Sequence, residues 1–417
     1  MDIPRRRAGS MRDEREARLV DRYVGCLQGL LVGDCLGAPF DASPPIPTND
    51  EDDQPFDRED VTAFLNNIRT NKVLPGPSAG RNHRAAKGCL GHGHYCYTDV
   101  TATTLCLAKS LARKRRFDPF DVAQRMTDEY FENESIDVEY GNAVRDVFRK
   151  WKHDGLEGED RLYGPAKEQF GGMGSFGSGA AMRTAPVAIL LKDDLDAMIK
   201  TTILQAKLTH AHPTGICAAV LHALAVRDAL LFGDSPKADS AVTAVTAGAA
   251  AGGTATPVEG LDLVDQLIEY IEAIEEELDG FRPLTYKLHA ARKLLIDAAS
   301  PDHPGVEAGD IARVLGNDMT AQGSVVTALV CYIFGGQAHA SLKPAHKSDN
   351  AFMRTLELAL RCGGDAGTIA SMACSLAGAR FGAKIIPAVV LRQCQAVELV
   401  TKVAEAFAIE PSFSCDL

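Results

Sequence analysis

"YCYTDVTATTLCLAKSL" (Tyr95–Leu111) opens on polar and aromatic residues, passes through Thr98-Asp99, and then settles into apolar residues at helical spacing. A Thr or Asp before such a run is an N-cap signature, because its side-chain oxygen takes an orphan N–H of the first turn. From Asp99 onward helical periodicity dominates, and no stretch alternates cleanly with period two beside turn chemistry. The pattern predicts helices near 100–112, 119–132, 138–152, 193–209, 214–231, 261–277, 286–298, 307–314, 321–333, 349–361, 368–381 and 391–407. Upstream, apolar residues recur at the same period from Leu19 to Leu36, and a short helix is expected at Val61–Arg69. The fold class is therefore all-α: about a dozen helices in a single compact bundle around one core.

Of the 417 residues, 46% are hydrophobic and only 6% aromatic, while Gly and Ala are abundant. That composition favours helices packed closely through small side chains. A net charge of −12 argues against direct nucleic-acid or membrane-surface binding. The eleven cysteines form no CxxC pair, and several, such as Cys26, Cys106, Cys217 and Cys374, sit in apolar runs. They suit buried free thiols in a reducing compartment. The N-terminus lacks an apolar signal core, and no apolar run is expected to span a membrane without polar interruption. The expected localisation is intracellular, cytoplasmic or nuclear, and not secreted. Residues 1–16 are charged and expected to form a mobile tail ahead of a helical domain at 17–410. That domain carries a loop-rich insertion at 42–93 and a low-complexity insertion at 234–258, both candidate protein-partner surfaces.

Four segments stand out from the helical background. "GLLVGDCLGAPFDAS" (Gly29–Ser43) runs a glycine-bearing helix into Pro39 and reaches Asp41. It is either a helix that packs through glycine and stops at proline or the approach to a site. Thr98-Asp99 is either a cap or a pair of oxygen ligands. "GGMGSFGSGAAMR" (Gly171–Arg183) has the glycine density of an anion-binding loop, though not the spacing of a dinucleotide or Walker motif. Phe170 and Phe176 flank those glycines and could hold a planar base. "RCGGDAGTIASMACSLAGARFG" (Arg361–Gly382) places Asp365 and Thr368 on one turn ahead of a helix of small residues. Oxygen-only side chains of this kind suit Mg²⁺. "LTHAHPTG" adds His210 and His212, whose spacing on a helix argues against both ligating one metal. Cys89, His92, His94 and Cys96 lie close in sequence but lack zinc-finger spacing.

Taken in order, these segments resemble the ADP-ribosylglycohydrolase family, from about Tyr23 to Val403, and most nearly its ADP-ribosylserine- and poly(ADP-ribose)-hydrolysing branch. The resemblance implies an orthogonal all-α bundle and two Mg²⁺ ions held by a Thr-Asp-Asp turn and an Asp-x-Asp-Thr turn. It implies metal ligation by Thr98, Asp99, Asp365 and Thr368, and places Asp41 where the family has a catalytic glutamate. Phe170, Gly174, Ser175, Phe176, Gly177, Ser178, Gly179 and His210 would then bind ADP-ribose.

Departures from the pattern fall on the metal positions. Val100 and Gly367 stand where ligand aspartates belong, Asp41 is a methylene shorter than glutamate, and Ser178 replaces a frequent asparagine. Two carboxylates are missing, so one Mg²⁺ or none is expected, with hydrolysis weak or lost. The resemblance leaves three functions open: an impaired hydrolase of ADP-ribosylated protein, a non-catalytic ADP-ribose reader, and a structural protein reusing the fold.

Overall fold

The computed structural model describes residues 3–41, 58–70, 94–132, 140–232, 260–300, 303, 305–336 and 348–409. The insertion expected at 234–258 lies outside these, as does that at 42–93 except for residues 58–70. Among the described residues there is no strand, only two isolated bridges, Tyr95 with Cys394 and Gly177 with Thr320. The helices are α1 (Ile3–Gly37), α2 (Arg58–Arg69), α3 (Asp99–Lys114), α4 (Pro119–Glu132), α5 (Asn142–Asp154) and α6 (Glu159–Gly172). There follow α7 (Ala185–Leu191), α8 (Leu195–Ala206), α9 (Pro213–Phe232), α10 (Leu261–Leu278), α11 (Pro283–Ala298) and α12 (Ala308–Leu315). The chain closes with α13 (Ala321–Gly336), α14 (Ala351–Cys362), α15 (Ala366–Phe381), α16 (Ala388–Leu391) and α17 (Val397–Glu405).

The centre of the molecule is an antiparallel pair, α1 against α15. Gly25, Gly29, Gly33 and Gly37 recur every four residues and so line one face of α1. A Cβ on each would lie 2.5 Å from Gly378 O, 2.2 Å from Cys374 O, 2.3 Å from Ala370 C and 2.5 Å from Gly367 Cα, respectively. The helices therefore touch backbone to backbone along their shared length. Each glycine in a helix interior costs about 1 kcal/mol relative to alanine. Four in register would be a heavy burden without the close approach they permit. The opposite ends of this contact matter most: the C-terminal end of α1 is delivered to the N-terminal end of α15.

Several expectations are corrected. Helix α1 begins at Ile3, well before the apolar period that starts at Leu19. Arg, Glu, Ala and Met there are good helix formers; the apolar period starts near Leu19 because that is where burial starts. Helix α6 is an additional helix that the predicted set lacks, since Gly164-Pro165 interrupts its pattern. The single helix expected at 391–407 is two, α16 and α17. Between them the backbone turns aside to pair with Tyr95, whose N–H donates to Gln393 O (2.7 Å) and whose carbonyl accepts from Gln395 N (2.9 Å). By length and composition Glu14–Phe40 and Pro213–Phe232 could cross a membrane, against expectation, yet 94% and 78% of an apolar 18-residue window in each are buried within the protein.

Helix α9 lies against α15 and carries His222, which is buried between them. Its Nδ1 is 3.0 Å from both the Ala181 carbonyl and the Thr184 hydroxyl, and its Nε2 is 3.3 Å from Ser375 Oγ. Burial lowers its pKa from 6.5 to about 4. The unfolded chain therefore takes up this proton first as pH falls. The contribution is complete above pH 6.5 and disappears between there and about pH 4, roughly 3 kcal/mol in all.

Two outcomes follow. Gly29→Ala forces a methyl against a carbonyl oxygen and should lower the urea unfolding free energy by about 3 kcal/mol, the upper range of overpacking. His222→Gln should flatten the loss of stability between pH 6.5 and 4.5, measured by urea titration at both pH values against the native chain.

Candidate functional site

Asp34 sits on the last turns of α1, beside the glycine face, and is fully buried. It accepts four hydrogen bonds from the start of α3. Thr98 N and Thr101 N each donate to Oδ2 at 3.0 Å; Thr98 Oγ1 donates to Oδ1 and Thr101 Oγ1 to Oδ2, both at 2.6 Å. Burial raises the pKa of Asp34, and these four bonds oppose the rise by favouring the carboxylate. Thr98 is also the N-cap of α3, accepting from Val100 N at 3.3 Å. Its side chain is thus turned toward Asp34 and the helix end.

Asp99, Asp41 and Asp365 differ from Asp34 in being partly open to solvent. Burial, then the nearby charges of Asp34 and Asp365, push Asp99 up to about 8, while Arg183 pulls it down. Asp365 rises to about 6, mainly by burial, against hydrogen bonds from the Thr368 and Ser178 hydroxyls. Asp41 is raised well above the carboxylate range by burial and then by Asp365. Burial is thus the main reason all three carboxylates hold protons more tightly, with Asp365 adding to it at Asp41 and Asp99, as a like charge close by does.

Asp41 follows the short 3₁₀ turn Ala38–Phe40 and reaches across to α15. Gly367 N donates to Asp41 Oδ1 at 2.7 Å. A Cβ on Gly367 would lie 3.0 Å from Asp41 Oδ2. The carboxylate of Asp41 therefore stands against the position from which an aspartate side chain at 367 would leave the helix. Val100 is buried in the core at 2% exposure and offers no oxygen. Among the described residues no group of three or more His, Cys, Asp or Glu side chains is arranged to hold a metal ion.

The glycine loop closes the site from the other side. Phe170 leaves α6 in the left-handed region at φ 53°, and its ring stacks obliquely on Phe176 at 5.9 Å. Both rings are exposed, at 51% and 41%, and Phe176 meets His212 edge-on at 5.8 Å. Gly174 has φ 76°, and a Cβ there would lie 2.6 Å from His212 N. A Cβ on Gly179 would lie 2.7 Å from His210 Cε1, so the loop rests directly on that imidazole. Ser178 Oγ reaches Asp365 Oδ2 at 3.4 Å and Met319 O at 3.3 Å, joining the loop to the carboxylates. Among the described residues the amides of Ser175 and Phe176 donate to no protein acceptor.

A further segment ties these parts together and carried no signal in the sequence. Asn317 O accepts from Asp365 N at 2.7 Å, Met319 O from Ser178 N at 3.1 Å, and Phe176 O from Ala321 N at 3.0 Å. Asp318 lies close enough to raise Asp365. Asp34 stood in the glycine-bearing helix, and Arg183 closed the glycine segment, yet neither was singled out. A buried acceptor of four bonds and a buried arginine both look, in a sequence, like surface residues. Of the suggested zinc cluster, Cys89 and His92 lie outside the described residues, and His94 faces the Arg392 carbonyl.

The ADP-ribosylglycohydrolase family model matches residues 15–415. The ADP-ribosylhydrolase ARH3 of Bos taurus is 30% identical over 400 residues, covering 94% of this chain and 93% of the relative. That of Gallus gallus is 31% identical over 386 residues, covering 92% of each. The ADP-ribosylarginine hydrolase Tri1 of Pseudomonas putida matches more narrowly, 27% identical across 46% of this chain and 42% of the relative. Among solved structures, a chain of an ADP-ribosylglycohydrolase-related protein complex superposes with TM-score 0.56 at 22% identity, covering 95% of this chain and all of that one. That likeness supports the all-α fold.

Asp34 is the residue on which the entry to α3 depends. Asp34→Ala strands four donors, the two of Thr101 buried and the two of Thr98 partly so, and should cost about 3 kcal/mol in urea unfolding. Asp34→Asn keeps an acceptor oxygen and should cost visibly less.

Proposed function

The chain belongs to the ADP-ribosylglycohydrolase family, and from that premise we propose that it binds ADP-ribose, free and on protein, while hydrolysing the C1″ linkage only slowly. One juxtaposition carries this reading. A built glycine loop with two exposed aromatic rings adjoins three open carboxylates, while Val100 and Gly367 contribute no oxygen. The loop has what a nucleoside diphosphate needs: amides without protein partners, no Cβ in the way, and rings for a base. The linkage class is that of ADP-ribosylserine or poly(ADP-ribose), the branch the sequence resembles.

The carboxylates fit one hard divalent cation such as Mg²⁺ and do not fit two. The charge of Asp365 raises both Asp41 and Asp99, which favours a positive charge beside them, and the donors are all oxygen. Asp99 and Asp365, with Thr368 and water, would hold such an ion; Thr98 is largely committed to Asp34. When bound, the ion would stabilise charge developing on an oxygen at C1″. Asp41, hydrogen-bonded to Gly367 N, is held back against α15. It is one methylene shorter than the glutamate of the family pattern, and a displacement of about 1 Å at a reacting group can cost roughly a hundredfold in rate. Slow turnover follows from that retraction and from the missing ligands.

Calorimetry with ADP-ribose should show saturable binding that Phe176→Ala weakens about tenfold, as loss of a base-stacking ring does. Mg²⁺ should raise the melting temperature of the native chain but not of Asp365→Asn. Hydrolysis of an ADP-ribosylated serine peptide should run about a hundredfold slower than by the Bos taurus relative assayed beside it. No heat at millimolar ADP-ribose would leave only a structural role. Turnover equal to the relative's would remove the impairment.

A further inference from the structure

Arg183 is 1% exposed, yet among the described residues it donates only to neutral acceptors. Its Nε reaches Gln205 Oε1 at 2.8 Å, Nη1 reaches Gly179 O at 3.1 Å, and Nη2 reaches both Gln205 O at 2.9 Å and Thr209 Oγ1 at 2.8 Å. A buried guanidinium without a bonded carboxylate is costly. What it holds in place here is the glycine loop, the end of α8 and Thr209, the residue before His210.

Thr209 Oγ1 has two partners among the described residues, Arg183 Nη2 and, at 2.8 Å, His210 Nδ1. Arginine can only donate. The hydroxyl therefore accepts from Arg183, and its single proton has His210 Nδ1 as its one remaining named partner. Nδ1 then accepts, and the ring proton sits on Nε2. Burial, followed by the charge of Arg183, holds the His210 pKa down at about 3, so the ring stays neutral. His210 is 8% exposed, and its Nε2 bonds to no protein group among the described residues. That nitrogen lies beneath the glycines: ideal Cβ positions on Gly179 and Gly177 would be 2.9 Å and 3.5 Å from it.

We propose that Arg183 and Thr209 are positioning residues that lock His210 in its Nε2–H tautomer, so that the ring offers one donor to an oxygen of ADP-ribose held over Gly177 and Gly179. The ligand rests on the function proposed above; the tautomer does not. The arrangement matters because phosphate oxygens can only accept. The other tautomer would turn a lone pair toward them and replace an attraction by a repulsion. A neutral donor also adds no positive charge next to a cleft that calls for a cation.

The test uses the intact, ligand-free chain. Nitrogen-15 NMR of the imidazoles, with His210 assigned by its loss in His210→Gln, should show Nδ1 unprotonated and Nε2 protonated. Thr209→Val removes the hydroxyl with little change in volume. It should populate the Nδ1–H form and weaken ADP-ribose binding about tenfold, the scale of one lost hydrogen bond. Thr209→Ser should restore both the spectrum and, within about twofold, the affinity. Arg183→Lys cannot bridge Gln205 and Thr209 together and should shift the tautomer in the same direction; should it fail to fold, the Thr209 pair decides alone. A native His210 carrying its proton on Nδ1, or a Thr209→Val chain that keeps the native spectrum and affinity, overturns the proposal. If the Nε2–H form is present and the native chain takes up no ADP-ribose, the binding reading falls and the lock remains.

Discussion

The contact of α1 with α15 is backbone against backbone, and everything at the site depends on it. Gly25, Gly29, Gly33 and Gly37 face Gly378, Cys374, Ala370 and Gly367 in turn. Such a contact has no side-chain layer to absorb error, so a shift along it would have to be a whole turn. Its antiparallel sense sets Asp34 and Asp41 beside Asp365 and Thr368, although more than three hundred residues separate them in the chain. The helices around the pair then have fixed surfaces to meet, and α9 meets α15 through His222.

The carboxylates near that contact divide by exposure. Asp34 is sealed and fully hydrogen-bonded, which makes it a structural fastener for the start of α3. Asp41, Asp99 and Asp365 are partly open, and Asp365 raises the proton affinity of the other two. The Asp41–Gly367 contact leaves no empty space beside position 367. The space beside Gly367 Cα is taken by the carboxylate of Asp41, so an aspartate placed at 367 alone would meet both its bulk and its charge. Substitutions at 41 and 367 are therefore coupled, and additivity between them is not to be assumed.

Most of the helices could be read from period alone, because their apolar faces are continuous and their ends are marked. Pro213 opens α9, and Asn350 caps α14. What period could not show was structure without an apolar stripe. Helix α6 carries Pro165 and leaves helical geometry at Gln169, and the break between α16 and α17 exists to satisfy Tyr95, nearly three hundred residues away. Ser178, Asp365, Asp41 and Asp99 come together in space. The residues that hold them, Asp34, Thr101, Arg183, Thr209 and the 317–319 turn, were not named, since each acts through a partner distant in sequence.

By itself the sequence determined the all-α class and the order of most of the helices. Those follow from local spacing, which a chain carries wherever it goes. It also determined that positions 100 and 367 bear no side-chain oxygen, which needs no structure to state. Tertiary structure alone decided which aspartate is sealed and which are open, that Asp41 leans on Gly367, and which ring nitrogen of His210 faces the glycine loop. These depend on distances between segments far apart in the chain, and on water being excluded from one carboxylate and admitted to the next. No pattern of neighbouring residues encodes either.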